Sequence, residues 1–316
     1  MLNAIDGISI TILIDNSTDI LLQDSPNAKR APVFRGGHML PVPLAEHGFS
    51  ALVRIRSGTT EHRFLFDTGV SADGMLRNAD LLGVDLDVES IILSHGHFDH
   101  FTGLASALER LGKPTKLIVH PDAFLRRWLH FKDGSKARMP DLDEGRLRRL
   151  GAFIVRNSKP LVLPSQQEPC LLVTGEIPRT TDYEIGFPAQ HAETADGKVV
   201  PDPLVMDDQA LVANVRNKGL VILSGCGHAG IINTINYARK LTNIETVLAV
   251  IGGFHLSGPA YETAIEPTLQ DMKLIHPRHL VPCHCTGWKA VNRIIQEFPS
   301  EFIQPSVGTT LGFYTD

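Results

Sequence analysis

His95, His97, Asp99 and His100 place three imidazoles and a carboxylate within one short span of chain. They stand as His-x-His-x-Asp-His directly after the apolar run Ile91-Ile92-Leu93. Nitrogen and carboxylate donors at this density suit zinc first, with iron or manganese as alternatives. Gly96 separates His95 from His97 and permits a tight backbone, so both rings can reach one ion. Asp99 and His100 point to a neighbouring position. Two ions ~3.5–4 Å apart would share a water whose pKa falls toward neutrality, giving a hydroxide nucleophile. Asp99 is then the expected catalytic carboxylate, holding the second ion and orienting the water. Asp67, which ends the run Phe64-Leu65-Phe66, is the candidate to fix one of these rings through its other nitrogen, or else caps a turn.

These residues resemble the metallo-β-lactamase superfamily. The resemblance runs from Asp67-Thr68-Gly69 through His95 to His100, and ends at Pro282-Cys283-His284-Cys285 and a closing strand near Gly308. Within the superfamily the chain is similar to the dihydropteroate-synthase-like branch. The residues behind that likeness are Glu46-His47-Gly48-Phe49-Ser50, Gly175-Glu176-Ile177-Pro178-Arg179, Ser224-Gly225-Cys226-Gly227-His228, Gly252-Gly253-Phe254-His255 and Cys283-His284-Cys285. The resemblance implies that His284 is the last metal ligand. Many relatives carry Pro-Gly-His-Thr and then a Gly-Asp whose aspartate bridges the ions. Here Glu176 stands where that histidine is usual, and Cys226 where the aspartate is usual. His228, two residues on, supplies a nitrogen instead. The expected metal ligands are therefore His95, His97, Asp99, His100, His228 and His284, with Cys226 read as a buried thiol off the bridge. Lacking a bridging carboxylate, the site is expected to hold one or two ions, the second more weakly. His255, Glu176 and Arg179 are the substrate-binding candidates. His255 follows a glycine pair at a strand end, and Arg179 suits an anionic group.

Three functions follow from this pattern. The superfamily implies a metal-dependent hydrolase that directs metal-bound hydroxide at an ester, lactone or phosphoester. The branch implies a transferase joining a dihydropterin methyl pyrophosphate to a ribofuranosyl-aminobenzene phosphate, with release of pyrophosphate. The reading of another class is a metal-binding sensor or partner-binding module without turnover; the intact ligand pattern weighs against it. A small-molecule, anionic substrate is the expected partner. The net charge of −5 disfavours a nucleic-acid surface.

Such ligands need strand ends to hold them. At 316 residues, 43% apolar and 21% charged, the chain has ample material for a large α/β core. Strands are predicted over 8–15, 51–56, 63–66, 90–93, 116–119, 170–174, 210–215, 220–223, 246–251 and 279–281. Helices are predicted over 73–82, 103–111, 123–131, 230–241, 261–275 and 288–298. Two strand-rich halves, each with helices, predict a four-layer αββα sandwich of the metallo-β-lactamase type, formed as a single domain over 1–316. The charge-dense stretch 132–149 reads as a solvated insertion. The proline-rich stretch 176–208 reads as a long loop covering the metal cleft. Cysteines at 170, 226, 283 and 285 do not form a disulfide framework, and no signal peptide or membrane-length apolar run is visible. The expected setting is the cytoplasm, away from membranes.

Overall fold

The computed structural model describes residues 2–164 and 169–315. Two large sheets form the centre. One runs, edge to edge, Ala152–Arg156, Thr115–Val119, Ser90–Ile92, Thr60–Phe66, Ser50–Ser57, Gly7–Ile14, Thr310–Tyr314 and Ala28–Lys29. The other runs Leu161–Leu163, Leu171–Val173, Ala210–Val215, Gly219–Ser224, Val247–Gly253 and His279–Cys283, with Ala4–Ile5 alongside Ala210–Val215.

Side chains alternate across each strand, and this alternation builds three apolar layers. Ile8, Ile10, Val53, Phe64 and Phe66 of the first sheet meet Leu171, Leu211, Val221 and Leu223 of the second. The opposite faces hold the helices. Leu52, Leu65, Ile91 and Leu117 pack on Met75, Ala79, Leu104 and Leu108. Ile222 and Val250 pack on Ile231, Ile235, Ile265, Leu269 and Ile294. Strands covered on both faces read as unbroken apolar runs, which is why Leu220-Val221-Ile222-Leu223 and Ile91-Ile92-Leu93 carry so little polar character. The architecture is a helix–sheet–sheet–helix sandwich of the metallo-β-lactamase type.

Parallel pairing decides where the site falls. Thr60–Phe66, Ser90–Ile92 and Thr115–Val119 run parallel in one sheet. Gly219–Ser224, Val247–Gly253 and His279–Cys283 run parallel in the other. Their C-terminal ends carry Asp67, His95–His100, Cys226 and His228, His255, and His284.

Two expectations need correction. The span 123–131 is not a helix: Pro121–Phe124 is a 3₁₀ turn and Arg127–His130 a strand. The strand pairs with Lys136–Arg138 and Gln190–Glu193, and this arrangement buries Arg127 against an acid partner. The solvated stretch 132–149 holds the strand Lys136–Arg138 and the helix Glu144–Arg149, capped by Asp143. Within 176–208, Gln190–Glu193 and Val199–Pro201 pair into the same small four-stranded sheet. No helix among the described residues is long and apolar enough to cross a membrane.

Candidate metal centre

Two groups of donors lie side by side, each with its ligand atoms within 4.8 Å of one another. One is His95, His97 and His228; the other is Asp99, His100, Cys226 and His284. All seven side chains are buried. Cys226 also groups with His228 and the half-buried His255. Close approach of the two sheets makes this possible. A Cβ on Gly225 would meet Ser94 Oγ at 2.2 Å, so the loops bearing Cys226 and His95 meet only because that position lacks one. Asp67, His255 and His284 adopt left-handed backbone, with φ of 57°, 47° and 48°. Such conformations cost about 1–3 kcal/mol each and collect at functional sites.

Hydrogen bonds at the far nitrogen of each ring settle which nitrogen faces inward. Asp67 Oδ2 accepts from His100 Nδ1 at 2.7 Å and from the Ser94 hydroxyl at 2.7 Å. Ser94 Oγ in turn lies 2.9 Å from His95 Nδ1. Gln190 Oε1 accepts from His97 Nε2 at 2.5 Å. Asn16 Oδ1 accepts from His284 Nδ1 at 3.0 Å. The atoms left facing the centre are His95 Nε2, His97 Nδ1, His100 Nε2 and His284 Nε2. His228 Nε2 joins them 3.1 Å from His97 Nδ1, close to the ~3.3 Å edge of a tetrahedron built on Zn–N bonds of about 2.0–2.1 Å. His95 Nε2 and His284 Nε2 are buried with no hydrogen-bond partner. Buried polar atoms left orphaned are costly, and a cation among them removes that cost. The residues present therefore fit a metal.

Electrostatics agree. Burial, then the neighbouring His100, holds His95 well below the usual imidazole range. Burial, then Arg127, lowers His97 to about 4. Burial, then His255, depresses His228 strongly. These three rings are neutral at pH 7, the form that binds metal. Burial works against the Asp99 carboxylate, yet His100 and His284 hold it well below its ordinary range. Burial likewise works against a charged His100, but Asp67 and Asp99 push it up to about 9. One group is thus a set of neutral nitrogens and the other carries charge. Burial, then the Cys285 sulfur, pushes the Cys226 thiol up; a cation beside it would reverse this.

Residues 45–191 match the model of the metallo-beta-lactamase superfamily. Across 276 residues the chain is 32% identical to the 7,8-dihydropterin-6-methyl-4-(beta-D-ribofuranosyl)-aminobenzene-5'-phosphate synthase of Methanocaldococcus jannaschii, covering 85% of this chain and 90% of that protein. The chain belongs to the metallo-β-lactamase superfamily. A second, uncharacterised protein of the same organism is 33% identical over 273 residues, 85% of this chain and 94% of that one. The solved structure of Tm1679, described as a metal-dependent hydrolase of the beta-lactamase superfamily, superposes with a TM-score of 0.73 at 25% identity. It covers 98% of this chain and 100% of that one. As a member of this superfamily, and with relatives so named, the protein is an enzyme of hydrolase or transferase type.

The superfamily pattern does not reveal how this chain braces its ligand loops. Asp207, Asp208 and Gln209, all buried, do so together. Asp207 Oδ2 accepts from Gly96 N at 2.7 Å, between His95 and His97. Gln209 donates its backbone N–H to Ser94 O at 3.0 Å and its side chain to Leu93 O at 2.8 Å. Asp208 Oδ2 accepts from Ala229 N at 2.8 Å, one residue past His228. Arg127, 2% exposed, supplies the counter-charge to Asp207 through two hydrogen bonds, of 3.0 and 2.5 Å. Gln190, which orients His97, is fixed at 2.8 Å by Asp202. The sequence signal for these braces is slight: a polar triplet abutting the buried strand Ala210–Val215.

The three substrate-binding candidates lie in different surroundings. His255 stands at the centre, its ring 4.0 Å from His228, 4.5 Å from Tyr261 and 5.6 Å from Phe187. Neither of its buried ring nitrogens has a hydrogen-bond partner. Glu176 belongs to neither donor group and pairs with the buried His120 at 3.1 Å. Arg179 donates to the carbonyls of Ile177, Leu204 and Val205, which ties the two ends of the 176–208 segment together. Phe187 of that segment lies against His228 and His97.

Proposed function

We propose that this enzyme is a metal-dependent hydrolase of a small-molecule ester, lactone or phosphoester. The observation carrying the reading is the pair of adjoining donor groups, in which the inward-facing His95 Nε2 and His284 Nε2 are buried without a hydrogen-bond partner. When bound, the ions, zinc first, supply Lewis-acid stabilisation of developing negative charge and acidification of water. The chain does the rest. Asp99, whose charged form His100 and His284 favour, stands ready to accept a hydrogen bond from the attacking water. His47, exposed and 3.4 Å from Asp99, lies toward solvent. Phe187 screens His97 and His228 from water on the other side. His255, with free nitrogens beside His228, is placed to give a proton to the leaving group. The test is a panel of small esters, lactones and phosphoesters offered to metal-loaded protein, with His255→Ala alongside. Turnover of one class, reduced about 10²-fold or more in the variant, is expected from the ordinary size of general-acid effects. Absence of turnover across the panel contradicts the reading.

The synthase named among the relatives favours a second reading, transfer between a dihydropterin methyl pyrophosphate and a ribofuranosyl-aminobenzene phosphate. Its mark is pyrophosphate release that requires both substrates. Release from the pyrophosphate compound alone supports hydrolysis instead.

A further inference from the structure

The four buried cysteines divide by their surroundings. Cys170 and Cys283 lie in the apolar layer between the two sheets. Cys226 and Cys285 lie at the metal centre. The strands Gly219–Ser224, Val247–Gly253 and His279–Cys283 run parallel and adjacent in that order, so their ends bring Cys226, Gly253 and Cys285 together. The Cys285 thiol donates to Cys226 O at 3.1 Å, and the two side chains are in hydrogen-bond contact. Gly253 makes room for this meeting. A Cβ there would strike the Cys285 sulfur at 2.6 Å and Cys226 Cα at 3.0 Å. Cys226 is a donor in the group with Asp99, His100 and His284, whereas Cys285 stands in none of the donor groups. It is a nucleophile that the hydrolytic chemistry does not use, set against one that holds an ion. At 9% Cys285 is also the most exposed of the four, against 4% for Cys226, so a small oxidant meets it first.

We propose that Cys226 and Cys285 are a peroxide-sensitive pair whose disulfide disarms the second donor group. The Cys285 sulfur gives an electron pair to a peroxide oxygen; the O–O bond breaks, leaving a sulfenic acid and one water. The Cys226 sulfur then displaces the hydroxyl from that sulfenic acid. The S–S bond forms, a second water leaves, and the two waters carry off both thiol protons. Two thiols are oxidised and one peroxide is reduced. The product withdraws the Cys226 sulfur from the ion beside Asp99, His100 and His284, while His95, His97 and His228 are untouched. Control of turnover by this pair rests on the hydrolase reading; the crosslink and the loss of an ion do not.

The test treats the metal-loaded full chain with hydrogen peroxide and follows free thiols, a non-reducing peptide map and metal content. Thiols should fall from four by two, the map should join the peptides of Cys226 and Cys285, and one ion per chain should be released. Tris(2-carboxyethyl)phosphine with zinc should restore the thiols, the ion and turnover of any substrate found. Cys285→Ser, whose hydroxyl can still donate to Cys226 O, should hold its ions at least tenfold longer under the same peroxide. Cys285→Ala gives the same comparison if the serine variant misfolds, and Cys283→Ser should behave as wild type. A link through Cys170 or Cys283, or oxidation to sulfinic acid with no link, overturns the proposal. So does a linked chain that keeps every ion, or a Cys285→Ser chain that loses its ion at the wild-type rate. The expected link and ion loss in a protein that turns over no substrate class support the pair and contradict the hydrolase reading instead.

Discussion

Asp207→Ala separates the two services that one buried carboxylate performs. It removes the counter-charge of Arg127 and the acceptor of Gly96 N–H at once. Burial works against a charged Arg127, but Asp207 keeps it protonated, so the variant strands a cation that is 2% exposed. Breaking a buried pair in this way costs about 3–5 kcal/mol. At about 2.1 cal/mol/K of unfolding entropy per residue, the 316-residue chain should lose roughly 4–8 °C in melting temperature. The comparison belongs in chelator, because bound metal adds its own stabilisation. Arg127→Met with Asp207→Leu removes both charges and should recover most of the loss. It still leaves Gly96 N–H without a partner, at about 1–3 kcal/mol. The double variant should therefore melt above Asp207→Ala but still below wild type, and hold metal less tightly at His95 and His97. A melting temperature for Asp207→Ala within one degree of wild type refutes the charge argument. Full metal affinity in the double variant refutes the brace.

The ligand groups make separable predictions. His228→Ala should empty the His95–His97 group and Cys226→Ser the Asp99–His100–His284 group, each costing one ion per chain by elemental analysis; a Cys226→Ser protein with full metal would place that sulfur outside the site. Asp99→Asn should abolish turnover while the three neutral histidines keep their ion, and activity within a few-fold of wild type would remove Asp99 from the chemistry. Asp67→Asn should weaken metal binding about 10–100-fold, as loss of a ring-orienting partner generally does, and unchanged affinity in a metal titration would count against it.

The sandwich is legible in the sequence because its strands are buried on both faces. Runs such as Ile91-Ile92-Leu93 and Leu220-Val221-Ile222-Leu223 have no competing period, and the donors that follow them must lie at strand ends. The small sheet is not legible. Arg127–His130 carries arginine, tryptophan and histidine, and its strand character comes from pairing with Lys136–Arg138 and, about sixty residues distant, Gln190–Glu193 rather than from local preference. The residues 95–100 declare themselves by composition. Cys226 does not, since a cysteine beside glycines reads equally well as a small core residue, and only the fold brings its sulfur to 3.2 Å from His100 Nε2. Arg179 reads as an anion holder by residue type, whereas its guanidinium is engaged by three carbonyls of its own segment. Asp207 and Gln209 serve backbone groups far away in sequence, a role that no spacing announces.

The most direct test of the metal centre is the metal content of protein purified without added metal, measured with and without chelation alongside turnover. The donor groups predict up to two ions per chain, loss of activity when chelator strips them, and recovery when zinc, iron or manganese is restored. Metal-free protein that retains full activity, or protein that binds no ion when all three are supplied, would contradict it.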